Sequence, residues 1–253
     1  MLKFSVVLSI ALVLGTSACS DTSPAPRAPE VEGPSHFEGS AARNQASQFD
    51  QEIPDRPAGS AEEQGAASYI LGTLQRSGYI ARLDAVPVAN LANSTNVIGR
   101  PFGGETVAMV VVPYGTGPGA PAESLALGTF LELARALTAS APDHKVAFTA
   151  LGAEFTNLQG GHLGSRRLAR FLIDEQEKPL IVQLGDISDG EPLAVAGDAN
   201  EVLLGPSDGA GLAEARLPDP DVFSEAGLRR VVVSGEPEEV GALLLEFLAN
   251  LGL

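Results

Sequence analysis

One stretch, residues 106–155, constrains the fold of this chain more than any other. It reads as an apolar strand at 106–114, a Gly- and Pro-rich turn at 115–120, a helix at 121–140 and a second apolar strand at 145–151. A strand, a long helix and a second strand in this order form a βαβ crossover, which predicts two parallel strands buried on both faces. The pattern therefore predicts an α/β fold with parallel strands at the centre of its sheet.

The same pattern predicts where a functional site lies. In open α/β sheets, ligands bind just beyond the carboxyl ends of the parallel strands. Here those ends lead into residues 113–122 and into Glu154 and Phe155. Few side chains in these two segments can act as bases, nucleophiles or metal ligands.

Several short segments occur in the order that one hydrolase family shows. They are Arg-Pro-Ala-Gly-Ser at 56–60 before a predicted helix at 61–77, Asn-Val-Ile-Gly at 96–99, Pro-Gly-Ala at 118–120, Leu-Glu-Leu-Ala-Arg at 131–135 and Gly-Ala-Glu at 152–154. In these segments the chain resembles the co-catalytic di-zinc aminopeptidases, a family that also includes glutaminyl cyclases and the non-catalytic transferrin receptor ectodomain. The resemblance implies a zinc-exopeptidase-like three-layer sandwich with a mixed, largely parallel central sheet.

Most metal ligands of that family are replaced at the matching positions. The zinc histidine of the first strand falls at Pro113, and the aspartate that orients it falls at Gly115. The bridging aspartate falls at Ala122, beside Glu123, which also suits the first turn of a helix because of the helix dipole. The second glutamate of the family's Gly-Ala-Glu-Glu motif, a zinc ligand, is replaced by Phe155.

Two of the family's functional positions keep an acidic residue. Glu154 stands at the position of the general base. Asp186, at the end of an apolar strand predicted at 179–188, is the one ligand position that keeps a ligating side chain, although an aspartate there is also an ordinary turn residue. The last zinc histidine falls at Pro220, which follows Asp219.

The resemblance therefore implies no bound metal cofactor. A catalytic zinc needs about three protein ligands, and imidazole or thiolate usually supplies most of the affinity. Without a metal-bound water, Glu154 is expected to be a vestigial base. One alternative stays open, in which His162 joins Glu154, Glu123 and Asp186 in a displaced zinc site. The other interpretation of His162 is a solvated loop residue, and His144 is predicted at the surface or at a strand edge.

The amino-terminal residues predict a lipoprotein. Residues 1–14 contain one early lysine and an apolar run too short to span a bilayer, which is typical of a secretory signal. Thr-Ser-Ala-Cys at 16–19 resembles a relaxed bacterial lipobox, which predicts a lipoprotein signal peptide at 1–18 and lipid attachment at Cys19. Ordinary cleavage after Ala18 is the alternative. Because Cys19 is the only cysteine, an intrachain disulfide is excluded.

The rest of the chain divides into a tether and one domain. Residues 19–48, rich in Pro, Ser, Ala and Glu, are predicted to form a disordered tether that contains His36. The aminopeptidase-like α/β domain is predicted at 49–253, which is long enough for one sizeable core. Removal of Lys3 with the signal peptide moves the formal charge from −16 to −17. This acidity argues against nucleic acid as a partner.

The replaced metal-ligand positions and the predicted lipid anchor together predict the function of the chain. We expect a lipoprotein of the cell envelope, held to the membrane by the lipid on Cys19 and facing the periplasm or the extracellular side. Its domain is expected to be a non-catalytic module that binds peptides or an envelope protein. The alternatives are a zinc-dependent aminopeptidase with rearranged ligands and a purely structural envelope lipoprotein.

Overall fold

The computed structural model describes residues 33–88, 93–103, 105–117, 124–198, 203, 215 and 221–251. The helices in these ranges are α1 (Gly39–Glu52), α2 (Ala61–Arg76), α3 (Ser124–Ser140), α4 (Leu163–Asp174), α5 (Val222–Glu225) and α6 (Pro237–Asn250). The strands are β1 (Ile80–Val86), β2 (Ser94–Arg100), β3 (Ala108–Pro113), β4 (Val146–Leu151), β5 (Leu180–Ile187), β6 (Ala194–Ala196) and β7 (Arg230–Gly235). None of the helices in these ranges is both long and apolar enough to cross a membrane. The predicted signal peptide and Cys19 lie outside the described residues.

The strands form one seven-stranded sheet in the order β1-β2-β4-β3-β5-β7-β6. The central strands β4, β3, β5 and β7 run parallel, and β1, β2 and β6 extend the sheet in antiparallel pairs. Strands β3 and β4 pair from Ala108 opposite Val146 to Pro113 opposite Leu151, and α3 lies between them in the chain. The predicted βαβ unit is confirmed, as is the mixed, largely parallel central sheet.

Helices cover both faces of the sheet, so the molecule is a three-layer sandwich. On one face, α1, α2, α3 and α6 bury side chains that include Phe49, Phe130 and Leu244. On the other face, α4 and α5 bury side chains that include Leu168 and Phe223. Strands β3 and β4 are buried at almost every position because each has helices on both sides.

Helix α1 lies largely within the predicted tether, so the folded domain begins before the predicted boundary at residue 48. Ala42, Ala46 and Phe49 are buried at helical spacing, and α1 packs against α3. Gly128 of α3 allows the close approach, because a side chain there would collide with the carbonyl oxygen of Ala42. The buried stripe escaped sequence analysis because two of its three residues are alanines, which give little hydrophobic signal.

His144 is buried, and its predicted surface position is therefore wrong. The residue is 8 % exposed, because the turn before β4 folds its ring against Tyr79. Its Nδ1 accepts a hydrogen bond from the Val146 amide at 3.1 Å, and its Nε2 lies 3.3 Å from the Thr138 hydroxyl. Burial lowers the pKa of His144 to about 4, since the cationic ring would lose its hydration.

We expect His144 to make the domain less stable in acid. The unfolded chain takes up a proton at His144 below about pH 6.5, whereas the folded chain does so only below about pH 4. The stability that neutral His144 contributes is therefore fully present above about pH 6.5. As the pH falls to 4, this contribution is lost, and the free energy of unfolding decreases by about 3 kcal/mol. Urea unfolding at a series of pH values measures the effect.

The comparison is with His144→Asn, whose amide can accept a hydrogen bond but stays neutral throughout this range. This variant should lose most of the acid-dependent decrease, relative to its own stability at neutral pH. The matched control is His36→Asn, since His36 is exposed. An identical pH dependence for the wild type and His144→Asn would contradict the prediction.

Candidate functional site

The candidate site lies where β3 and β4 end side by side. Pro113 ends β3 and pairs with Leu151, which ends β4, so the loops after the two strands meet at one edge of the sheet. Open α/β sheets bind ligands at this edge. An open cavity of about 470 Å³ is found there. It is lined by Gly117, Glu154, Phe155, Thr156, Asn157, Gly160, Gly161 and His162.

Glu154 is buried at the amino end of α4. Its Oε1 accepts a hydrogen bond from the Ser165 amide at 2.6 Å, and its Oε2 accepts one from the Ser165 hydroxyl at 2.8 Å. The first turn of a helix has unpaired N–H groups and a positive partial charge, which a carboxylate satisfies. His162, which immediately precedes α4, makes no side-chain cap. Glu154 therefore caps α4 from the preceding loop.

The structure brings His162 next to Glu154. The Nδ1 of His162 lies 3.2 Å from the Oε2 of Glu154, and its backbone N–H donates to the Glu154 carbonyl at 3.0 Å. His162, Ala153 and Gln159 all have positive φ, at 52°, 52° and 53°. Such left-handed conformations cost energy in non-glycine residues and are found at ligand sites and turns. Contacts from outside the loop must therefore hold this β4–α4 connection in place.

One such contact comes from Glu63 of α2. Its Oε1 accepts hydrogen bonds from the Ala153 amide at 3.1 Å and the Ser94 hydroxyl at 2.6 Å, and its Oε2 accepts one from the Gly59 amide at 2.6 Å. Burial raises the pKa of Glu63, and these hydrogen bonds oppose the rise. Sequence analysis missed this role, because a glutamate in the first turn of a helix already has a local capping explanation.

A second contact comes from Asn96 of β2. Its Oδ1 accepts a hydrogen bond from the Gly152 amide at 3.1 Å, and its Nδ2 donates to the Gly164 carbonyl at 3.0 Å. Gly164 needs to be glycine here, because a side chain would collide with the Gly152 carbonyl oxygen. One asparagine thus joins the end of β4 to the first turn of α4.

A buried arginine holds the β3 side of the cavity. The Nε of Arg56 donates to the Tyr114 carbonyl at 2.8 Å, and its backbone N–H donates to the Thr116 hydroxyl at 2.7 Å. Its guanidinium also lies 4.6 Å from the centre of the Phe49 ring. Burial lowers the pKa of Arg56, and Asp50 opposes this shift. The loop before α2 therefore fixes the segment that follows β3.

The positions that match metal ligands place few donors around the cavity. Pro113 ends β3 and offers no side-chain ligand, while Phe155 packs against Gly117. A Cβ atom at Gly115 would lie 3.4 Å from the Arg56 carbonyl oxygen and 3.5 Å from the Oε1 of Glu63, in ordinary contact with both. Four of the predicted positions lie outside the described residues, namely Ala122, Glu123, Asp219 and Pro220.

Asp186 lies near the end of β5, the neighbour of β3 on the side away from β4. It is exposed, and the pairing register of β5 with β7 shifts between Leu184 and Ile187. Within the described ranges, no group of three or more His, Cys, Asp and Glu side chains could hold a metal ion.

The donors around the cavity fit a tightly bound zinc ion poorly. His162 and Glu154 are two neighbouring donors, whereas a catalytic zinc needs about three protein ligands. Both oxygens of Glu154 also accept hydrogen bonds from Ser165. The carboxylate oxygens and ring nitrogen of this pair suit a hydrogen-bonding ligand better.

The sheet order and the helix layers define a zinc-exopeptidase-type fold, and comparison with known proteins agrees. The chain is similar to a leucine aminopeptidase precursor from Bacteroides thetaiotaomicron, with a TM-score of 0.69 and 15 % identity over 87 % of this chain and 99 % of that chain. It is similar to a glutaminyl cyclase from Fimbriiglobus ruber, with a TM-score of 0.66 and 17 % identity over 89 % and 98 %. A Zn-dependent exopeptidase from Parabacteroides distasonis gives a TM-score of 0.66 and 13 % identity over 85 % and 99 %.

These structural neighbours are of the kind that the sequence resemblance indicated. No protein-family model matches the sequence, and no curated protein matches it. Because identities of 13 to 17 % establish the fold alone, the activity has to be argued from the site.

We expect Glu154→Ala to lower the free energy of unfolding by about 1–3 kcal/mol, because the amide and hydroxyl of Ser165 would lose their acceptors at a buried helix terminus. Urea unfolding at neutral pH measures the change. Asp186→Ala is the matched control, since it removes an exposed carboxylate near a strand end, and it should change stability by about 0.5 kcal/mol or less. Similar losses for both variants would contradict the capping role.

Proposed function

We propose that this protein is a non-catalytic binding module with a zinc-exopeptidase-like domain, and that its cavity binds the amino termini of peptides. One observation carries the proposal. The carboxylate at the position of the family's general base, Glu154, caps α4 through both of its oxygens while an open cavity persists beside it.

Among the described residues, two positions that the resemblance assigns to metal ligands carry side chains that cannot bind a metal. A zinc hydrolase lowers the pKa of a bound water, which a base then deprotonates. Pro113 and Phe155 occupy two positions where the resembled family has metal ligands, and neither side chain can bind a metal. Without a bound metal, Glu154 would have no activated water to deprotonate.

The lining of the cavity suits a peptide amino terminus. Glu154 supplies negative charge, His162 supplies a ring nitrogen, and Phe155 supplies a partly exposed aromatic ring. A formal charge of −16 on the whole chain also favours the approach of a cationic ligand. A peptide amino terminus presents an ammonium group beside its first side chain, which matches both the charged and the apolar parts of this lining.

A second candidate function is a zinc-dependent aminopeptidase with rearranged ligands. The specific observation in its favour is the 3.2 Å separation between the Nδ1 of His162 and the Oε2 of Glu154. It requires at least one further ligand, for which Asp186 and Glu123 are the candidates. It also requires Glu154 to exchange its contacts with Ser165 for a metal ion.

We expect short peptides with a free amino terminus and an apolar first residue to bind the chain without its signal peptide and lipidated cysteine, residues 20–253. Acetylation of the amino terminus should weaken binding about tenfold or more, because it removes the ammonium charge. Isothermal titration calorimetry measures both affinities. Binding should persist after treatment with a chelator, and the protein should release no amino acids from the peptides.

The matched variants for this experiment are Asn157→Trp and Asn250→Trp. Asn157 lines the cavity, so a tryptophan there should block binding, whereas the same substitution at Asn250, at the end of α6, should leave it unchanged. Bound zinc together with chelator-sensitive release of amino acids would contradict the proposal and support the aminopeptidase. An absence of peptide binding would favour the purely structural lipoprotein.

We also propose that the protein is anchored in the cell envelope by a lipid on Cys19, with the domain on the periplasmic or extracellular side. The support is the lipobox-like sequence at 16–19, which ends in the single cysteine of the chain. Residues 20–38 would then separate the lipid from the start of α1.

Metabolic labelling with a fatty acid should mark the wild-type protein and not Cys19→Ser, because the thiol of Cys19 is the proposed attachment point. Mass spectrometry of the mature amino terminus locates the lipid. Ser20→Ala should be labelled like the wild type. An unmodified mature chain that begins at Cys19 would instead indicate ordinary cleavage after Ala18.

A further inference from the structure

Strand β1 forms one edge of the sheet and has only part of the usual protection of an exposed edge, namely the charged Arg82 and Asp84. It pairs with β2, and its other edge has no strand partner among the described residues. Natural edge strands are commonly very short or carry Pro, Lys or inward-pointing charges, which prevent pairing with other chains. Strand β1 has seven residues without Pro or Lys, whereas β6 at the opposite edge has three.

Two apolar side chains on β1 are exposed. Ile80 is 60 % exposed and Leu83, at the centre of the strand, is 48 % exposed. Arg82 and Asp84 contact α4, so Leu83 points to the opposite face of the sheet, because successive side chains of a strand alternate. A strand that paired along β1 would cover part of each of these apolar side chains.

The charged side chains of β1 are drawn over the sheet toward α4. The guanidinium of Arg82 lies 4.8 Å from the centre of the Phe171 ring. Asp84 accepts hydrogen bonds from Arg167 at 2.9 and 2.8 Å. Because both charged groups lie over the face of the sheet, neither blocks the row of backbone groups along its edge.

The sequence of β1 is complementary to itself in the antiparallel direction. Along β1 the residues are, in order, apolar, Ala, positively charged, Leu, negatively charged, Ala and apolar. If a second copy of β1 lies antiparallel, with a two-fold axis at Leu83, each residue faces the one at the opposite position in this order. The facing pairs are Leu83 with Leu83, Arg82 with Asp84, Ala81 with Ala85, and Ile80 with Val86. Opposite charges that face each other across two strands stabilise the pairing.

Other arrangements of the same two strands are less favourable. Parallel in-register pairing would place Arg82 opposite Arg82 and Asp84 opposite Asp84, and like charges in facing positions destabilise a sheet. If the antiparallel pairing shifted by one residue, Arg82 of one copy and Asp84 of the other would lie on opposite faces of the joined sheet and could not pair. The charge order therefore selects one register.

We infer that the protein forms a two-fold symmetric homodimer through β1, which joins the sheets of two copies into one continuous sheet centred on Leu83. The contact is isologous, so it closes at two copies. This inference is independent of the peptide-binding proposal, because β1 contributes no residue to the lining of the cavity.

The test uses sedimentation equilibrium of the chain without its signal peptide and lipidated cysteine, residues 20–253, which contains every element described here. The wild type should dimerise. Leu83→Lys and Leu83→Glu should each weaken dimerisation about tenfold or more, because like charges would meet at the two-fold axis. An equimolar mixture of the two variants should restore the dimer, since opposite charges would then meet.

Leu158→Lys is the matched control, because Leu158 is also exposed, at 38 %, but lies in the β4–α4 connection. It should dimerise like the wild type, and circular dichroism should confirm that all variants are folded. A monomeric wild type would overturn the inference, even if it bound an extended peptide along β1. Dimers that persist in both single variants, or a mixture that stays monomeric, would also overturn it.

Discussion

The hydrogen bonds between Glu154 and Ser165 are the contact on which the candidate site depends. They join the end of the central strand β4 to the first turn of α4, across a loop that has positive φ at Ala153, Gln159 and His162. Such a loop costs energy and persists only when its surroundings fix it. The buried carboxylate satisfies the helix terminus and closes the loop at the same time, and the contacts of Glu63 and Asn96 support the same loop.

The same contact bears on the role proposed for Glu154. Both of its oxygens accept hydrogen bonds from Ser165, whose amide is buried. Pro113 and Phe155, at two positions that the resemblance assigns to zinc ligands, offer no ligating side chains. This arrangement supports the proposal that Glu154 binds an ammonium group rather than acting on a metal-bound water.

The sequence predicted those parts of the molecule whose pattern is set by burial alone. Strands β3 and β4 were predicted because both of their faces are covered, which demands apolar residues at almost every position. Helix α1 was missed because Ala42 and Ala46 are small, and its close packing depends on Gly128 far along the chain. Glu63 was missed for a similar reason, since its contacts with Ser94 and Ala153 join residues that are distant in sequence.

The contacts that hold the turn at residues 152–154 do not involve the positions that the resemblance assigns to metal ligands. The amides of Gly152 and Ala153 donate to Asn96 and Glu63, and the side chain of Glu154 caps α4. All of these partners belong to the protein itself, so the turn needs no metal ion to satisfy its polar groups. Replacement of Asn96 or Glu63 would leave buried amides unpaired. A turn held by the protein's own groups keeps the shape of the cavity beside it, and this supports the proposed binding function.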